Sequence, residues 1–179
     1  MLWWLAVLIP NPERMSPAPP VGNRFPKSAR LHHRSLQERL FTDGEKLIEY
    51  PLRMVWRSMT AEELEKNFCN HVPPDIGRVQ VVVSVPKKKR RRAVDRVLMR
   101  RRIREAFRLS RPLLIQMLAE REEVRTVAIG LVYMKEANVA YKELKEKLDR
   151  LLVKMVVKIN EKYDGKDEES VDMADGTPD

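Results

Sequence analysis

The chain has 179 residues and a mass of 21.0 kDa, enough for one ordinary domain with some excess. Lysine and arginine number 35 against 26 acids, a formal charge of +9, which points to a polyanionic partner. A hydrophobic content of 43 % excludes a wholly disordered basic chain, and the single Cys69 excludes an internal disulfide or a multi-cysteine zinc module. A basic DNA-binding domain, a structural RNA binder and a protein cofactor of a ribonucleoprotein all survive this arithmetic.

The first ten residues, MLWWLAVLIP, are apolar but too few to span a bilayer, which needs about 20. No basic region precedes them, and Pro10, Asn11 and Pro12 follow where an export signal has a small-residue cleavage site. Residues 14–30 are rich in Pro, Ser and Arg, a linker composition. Residues 1–29 are therefore expected to be a disordered extension, with Met15 as an alternative start. Neither a membrane nor an obligatory protein partner is implied.

Ser35-Leu36-Gln37-Glu38 has the spacing of a helix-capping box, and Leu36, Leu40 and Phe41 share one face of the short helix it would open. Asp43-Gly44 ends that helix. Residues 50–57 alternate as a half-buried strand, with Leu52, Met54 and Trp56 on one side and Arg53, Val55 and Arg57 on the other. The connection 58–77 is long for a compact domain, and Thr60 with Glu63 caps a short helix within it. Cys69 and His71 also lie there, too few ligands for a zinc site.

Residues 79–85, VQVVVSV, are nearly all β-branched and read as a strand covered on both faces. Residues 93–109 contain no Gly or Pro, and Met99, Ile103, Ala106 and Phe107 form an apolar stripe at helical spacing. Pro112 is expected to interrupt this helix. Residues 124–134 form a second strong strand: Val127, Ile129, Leu131 and Tyr133 make a bulky face, while Thr126, Ala128 and Gly130 leave the other face shallow. From 139 to 163, Leu144, Leu148, Leu151, Met155 and Ile159 mark a long amphipathic helix. The order α-β-β-α-β-α predicts an α+β fold, a two-layer sandwich of helices on a small mixed sheet. The domain spans 30–163, and the acidic end, 164–179, reads as a disordered tail.

The charge is focused. Residues 78–111 hold 14 basic residues opposed only by Asp95 and Glu105, a local +12, whereas residues 161–179 carry −6. Lys87, Lys88, Lys89, Arg90, Arg91 and Arg92 sit between a strand and a helix N-terminus, which itself favours anions. Arg96, Arg100, Arg101, Arg104 and Arg108 follow on the helix, and arginine forks match phosphate oxygens while staying charged. Solvated surface helices usually alternate sign, and this one does not. Eight such residues on duplex phosphates would give log K a slope against log salt of roughly −7. The helix lacks Asn and Gln for adenine readout, which argues against sequence-specific DNA binding.

Residues 83–108, VSVPKKKRRRAVDRVLMRRRIREAFR, resemble the signature of the protein subunit family of bacterial ribonuclease P. The pattern is a strand ending in Val-Ser, a basic run, Ala-Val, then Arg-Asn-Arg-x-Lys-Arg-x-x-Arg-Glu. It is met at Val83, Ser84, Lys87, Lys88, Ala93, Val94, Arg96, Arg101, Arg104 and Glu105, with Arg100 in place of Lys. Arg30-Leu31, Leu40-Phe41-x-x-Gly44, Tyr50-Pro51-Leu52-Arg53 and Ala128-Ile129 are also similar to family positions, so the resemblance covers about 30–162. The chain departs from the pattern at Val97 and Leu98, which stand where the family has Asn and Arg. It departs too at Pro86 and in a longer 58–77 connection.

The resemblance implies a sandwich with a left-handed β-α-β crossover and a cytoplasmic protein that is not itself the catalyst. It implies that an RNA subunit, with magnesium bound mainly by that RNA, hydrolyses the bond joining the 5′ leader to precursor tRNA. The protein would bind ribonuclease P RNA through the basic loop and helix. It would hold the leader in a cleft over the sheet, where Phe41, Arg53 and Trp56 match by position. A shallow Thr126/Ala128/Gly130 face would leave room for that strand of RNA. No protein catalytic or metal-ligating residue is expected, and His32-His33 reads as surface. The alternative is a structural or chaperone-like RNA-binding protein without a catalytic partner.

Overall fold

The computed structural model describes residues 25–171, with side chains through 164. In chain order it contains α1 (Arg34–Asp43), β1 (Glu45–Glu49), β2 (Leu52–Met59), α2 (Ala61–Asn67), β3 (Val79–Ser84), α3 (Ala93–Met117), β4 (Thr126–Tyr133) and α4 (Tyr141–Val171). The strands form one mixed sheet in the order β1-β2-β4-β3. β2 pairs antiparallel with both β1 and β4, whereas β3 runs parallel to β4. Parallel neighbours need a crossover, and α3 supplies it.

The bulky residues sort as their alternation predicts. Leu52, Met54, Trp56, Val79, Val81, Val127, Ile129, Leu131 and Tyr133 meet Met99, Ile103, Ala106 and Phe107 of α3 and the leucine stripe of α4 in the main core. Each Val, Leu, Ile, Met or Phe among them contributes roughly 1.5–3 kcal/mol on leaving water. On the opposite face, Leu36 and Leu40 of α1 and Leu64 of α2 pack on Val55, Met59 and Ala128. The α+β class and the small mixed sheet hold. Beyond the two layers expected, the short helices α1 and α2 cover part of the second face.

Several local expectations change. Strand β1 was not foreseen, because three of the five residues of EKLIE are charged and the strand lies at the sheet edge, where one exposed face is tolerated. Helix α1 starts at Arg34 with His33 at its cap and no capping side chain, so the Ser35 box does not form. The Thr60–Glu63 box does form, with both reciprocal hydrogen bonds present. Helix α3 continues through Pro112, which removes only one backbone donor from a helix held by Ala106, Phe107, Ser110 and Leu114. Residues 25–29 belong to the folded unit rather than the extension. Phe25 lies 6.1 Å from Phe107, and Ala29 is fully buried. The expected extension before residue 25 lies outside the described residues. Helix α4 runs to Val171, into the stretch read as an acidic tail, and residues 172–179 are outside the description. No helix among the described residues is long and apolar enough to cross a membrane.

Candidate nucleic-acid interface

The basic element divides into structural and outward-facing cations. Arg90 is buried: it donates to the carbonyl of Glu136 and to Asn138 Oδ1, and lies 3.2 Å from Asp95. It locks the β3–α3 loop to the segment after β4, a correction to its expected role as an RNA contact. Arg96 turns back to donate to the carbonyls of Arg90 and Arg91, at 2.9 and 2.6 Å, and so shapes the same loop. Arg102, on the flank of the helix, donates to the carbonyl of Val139. Arg108 is held by Glu105 through two hydrogen bonds of 2.8 and 2.7 Å. That bond pulls the Glu105 carboxyl below its ordinary range and raises the guanidinium. Lys89 reaches Glu136 at 3.5 Å.

The side chains of Lys87, Lys88, Arg91, Arg92, Arg100, Arg101 and Arg104 have no ion pair or hydrogen bond among the described residues. All but the half-buried Arg100 are exposed. Seven uncompensated cations on one loop and one helix leave a self-repulsion that an anionic partner relieves. Val94, Val97 and Leu98 are exposed among them, as the helical wheel predicts. Lys88, Lys89, Arg91 and Arg92 rim a hollow of about 360 Å³ at the helix N-terminus, which Arg90, Asp95 and Glu136 also line. Arg104 faces Arg30 across a second one, floored by Val81, Val82 and Val83 of the edge strand.

The proposed cleft residues do not all come together. Trp56 is 1 % exposed and lies in the main core under α3 and α4, on the face away from Phe41. Alternation along β2 decides this, since Trp56 shares the parity of Leu52 and Met54, and no stacking surface remains. Phe41 is 46 % exposed and lies over Gly130 on the α1 face. Arg53 is half-buried on that same face, two register rows away from Gly130, opposite Val132, which in turn pairs with Ser84. The shallow face of β4 is not vacant, because Leu40 and Phe41 of α1 fill the space above Gly130 and Ala128 is buried beneath. The next row on this face beyond Gly130 is Arg53, Val132, Ser84, and the hollow that Phe41 itself lines is bordered by Arg34, Gln37, Glu38 and Thr42 of α1. Sequence reasoning missed Val132 and Ser84, which become visible only through strand register.

The Ribonuclease P family model matches residues 25–156, most of the chain. The chain belongs to the ribonuclease P protein family. The ribonuclease P protein component of Porphyromonas gingivalis strain W83 is 35 % identical over 106 residues, covering 59 % of this chain and 69 % of that relative. The component from a second strain of that species is equally similar. Solved structures of the RNase P proteins of Thermotoga maritima and Staphylococcus aureus align at 20 % and 16 % identity, with TM-scores of 0.48 and 0.47. They cover 69 % and 72 % of this chain, and 94 % and 95 % of their own. Membership gives the chain a subunit's role in tRNA processing. The ribonuclease P match begins at residue 25, which agrees with the packing of Phe25 and Ala29 into the folded unit.

Proposed function

We propose that this protein is the RNA-binding, non-catalytic subunit of a ribonuclease P holoenzyme in the cytoplasm. The seven uncompensated cations between Lys87 and Arg104 hold the catalytic RNA. The Phe41–Arg53 surface holds the single-stranded 5′ leader of precursor tRNA, by stacking on the ring and pairing a phosphate with the guanidinium. The RNA subunit, with magnesium, hydrolyses the phosphodiester between leader and tRNA.

Among the described residues, three ligating groups converge only at His32, His33 and Asp75, and two imidazoles do not suit an ion that prefers an oxygen octahedron. In this reading the protein's own contribution is to bind and position the RNA strands. The observation that carries this reading is the unpaired cationic row in a chain of the ribonuclease P protein family.

Binding to ribonuclease P RNA, measured by fluorescence anisotropy across a salt series, tests it. Seven phosphate contacts give a slope of log K against log salt of about −6, from about −0.9 per contact. A slope near zero, or equal affinity for an unrelated duplex of the same length, contradicts the reading.

A further inference from the structure

His32, His33 and Asp75 bring three metal-ligating atoms within 4.8 Å of one another. Two come from the segment leading into α1 and one from the long β2–β3 connection, 42 residues later. His32 Nε2 lies 3.1 Å from Asp75 Oδ2, and His33 Nε2 lies 3.2 Å from Asp75 Oδ1. Ligand atoms about 2.0–2.2 Å from a tetrahedral zinc ion stand a little over 3 Å apart, so small shifts of these imidazole–carboxylate contacts would admit one ion between the three side chains.

The surroundings hold the ligands in place. His32 Nδ1 donates to the Arg30 carbonyl oxygen at 2.9 Å, which leaves Nε2 as the ring's ligand atom. Such a carbonyl partner is the usual outer support of a metal-bound imidazole. The His33 and Phe68 rings stand nearly perpendicular with centroids 5.4 Å apart, and the two imidazole centroids lie 4.2 Å apart. Gly77, two residues after Asp75, donates its N–H to the Ser28 carbonyl, and a Cβ there would sit 2.5 Å from that oxygen. The two chain segments are thus fastened beside the cluster. Lys27 also reaches Asp75, at 3.4 Å, but its side chain is 77 % exposed and free to swing into solvent when a cation arrives.

We infer that His32, His33 and Asp75 form a site for a zinc-class transition-metal ion, with three protein ligands and a fourth position open to water. Imidazole donors select such an ion over magnesium or calcium. The bound ion clips the segment before α1 to the β2–β3 connection.

The test uses the chelator-stripped full chain and metal alone, so its readouts are independent of RNA binding. Zn²⁺ is titrated against a chromogenic chelator, with Co²⁺ as the spectroscopic probe. One equivalent is expected to bind at micromolar affinity or tighter, with tetrahedral Co²⁺ bands and no thiolate charge-transfer band. The melting temperature is expected to rise with Zn²⁺ and not with Mg²⁺. His32→Ala, His33→Ala and Asp75→Asn should each weaken binding by at least about tenfold, while Cys69→Ser and His71→Ala leave it unchanged. Absence of binding at 100 µM metal, on the order of surface-histidine affinity, would overturn the inference. So would binding that survives the His32→Ala/His33→Ala double variant, or a thiolate band that assigns the metal to Cys69.

Discussion

The Phe41 ring lies over Gly130 so closely that a Cβ on the glycine would approach the ring's Cζ to 3.2 Å. This contact fixes an aromatic ring, nearly half exposed, at the border of the Arg53–Val132–Ser84 row. Replacing Phe41 by Ala removes a stacking face while the neighbouring Leu40 stays buried in its cluster. Stacking contributes about 1–3 kcal/mol per base, so Phe41→Ala should weaken binding of leader-bearing precursor tRNA by roughly 5- to 150-fold. Affinity of the holoenzyme for mature tRNA, which has no leader, should not change. Equal losses for both substrates would remove Phe41 from the leader surface.

The cations fall into two groups that mutate differently. Arg104→Ala deletes an exposed, unpaired charge, so stability should move by less than about 0.5 kcal/mol. The slope of RNA affinity against salt should shrink by about 1. Arg90→Ala breaks buried bonds to Glu136, Asn138 and Asp95 and should cost about 1.5–3 kcal/mol of stability. Thermal melts of the two variants beside their salt series distinguish the groups.

Val97 and Leu98 put apolar surface on the cationic face, 38 % and 37 % exposed. The double variant Val97→Asn, Leu98→Arg adds one phosphate-seeking charge and one amide there. It should tighten binding to ribonuclease P RNA and steepen the salt slope by about 1. An unchanged affinity and slope would mean that this face does not touch RNA.

Acid stability carries its own signature. Glu49, at the end of β1, accepts a hydrogen bond from Lys154 of α4 and faces Lys147 at 3.7 Å. The Lys154 bond, aided by the positive charge of Lys154, Lys147 and Arg150, holds the Glu49 carboxyl below its ordinary value of 4.5. A carboxylate lowered on folding adds stability above its unfolded pKa and loses it as pH falls through the folded value. Glu49→Gln should therefore flatten the fall in stability below about pH 4.5 and leave its shape above pH 6 unchanged. Urea melts from pH 3 to pH 7, a range of roughly four units around that value, measure both limbs.

Much of this was legible in the chain because alternation and helical spacing are strong signals. The parity of β2 and β4, the Met99–Phe107 stripe and the α4 leucines all appear where the sequence puts them. The parity that identified β2 also fixes Trp56 inside; positional analogy and the nearness of Arg53 and Arg57 in sequence had placed it in the cleft. Strand β1 escaped because an edge strand needs no apolar face of its own. Arg90 could not be separated from its five basic neighbours by composition. What buries it is the segment at Glu136 and Asn138, more than forty residues away. The His32–His33–Asp75 cluster was invisible for the same reason, since its ligands join only when the chain folds.

The most direct test of the account mixes the purified protein with its own ribonuclease P RNA and precursor tRNA at low magnesium. Each component alone serves as the control, and cleavage at the 5′ end of the tRNA is followed by gel. The account predicts 5′ cleavage that neither component gives alone at that magnesium concentration. Cleavage by the protein without RNA, or RNA-dependent cleavage that the protein leaves unchanged, would contradict it.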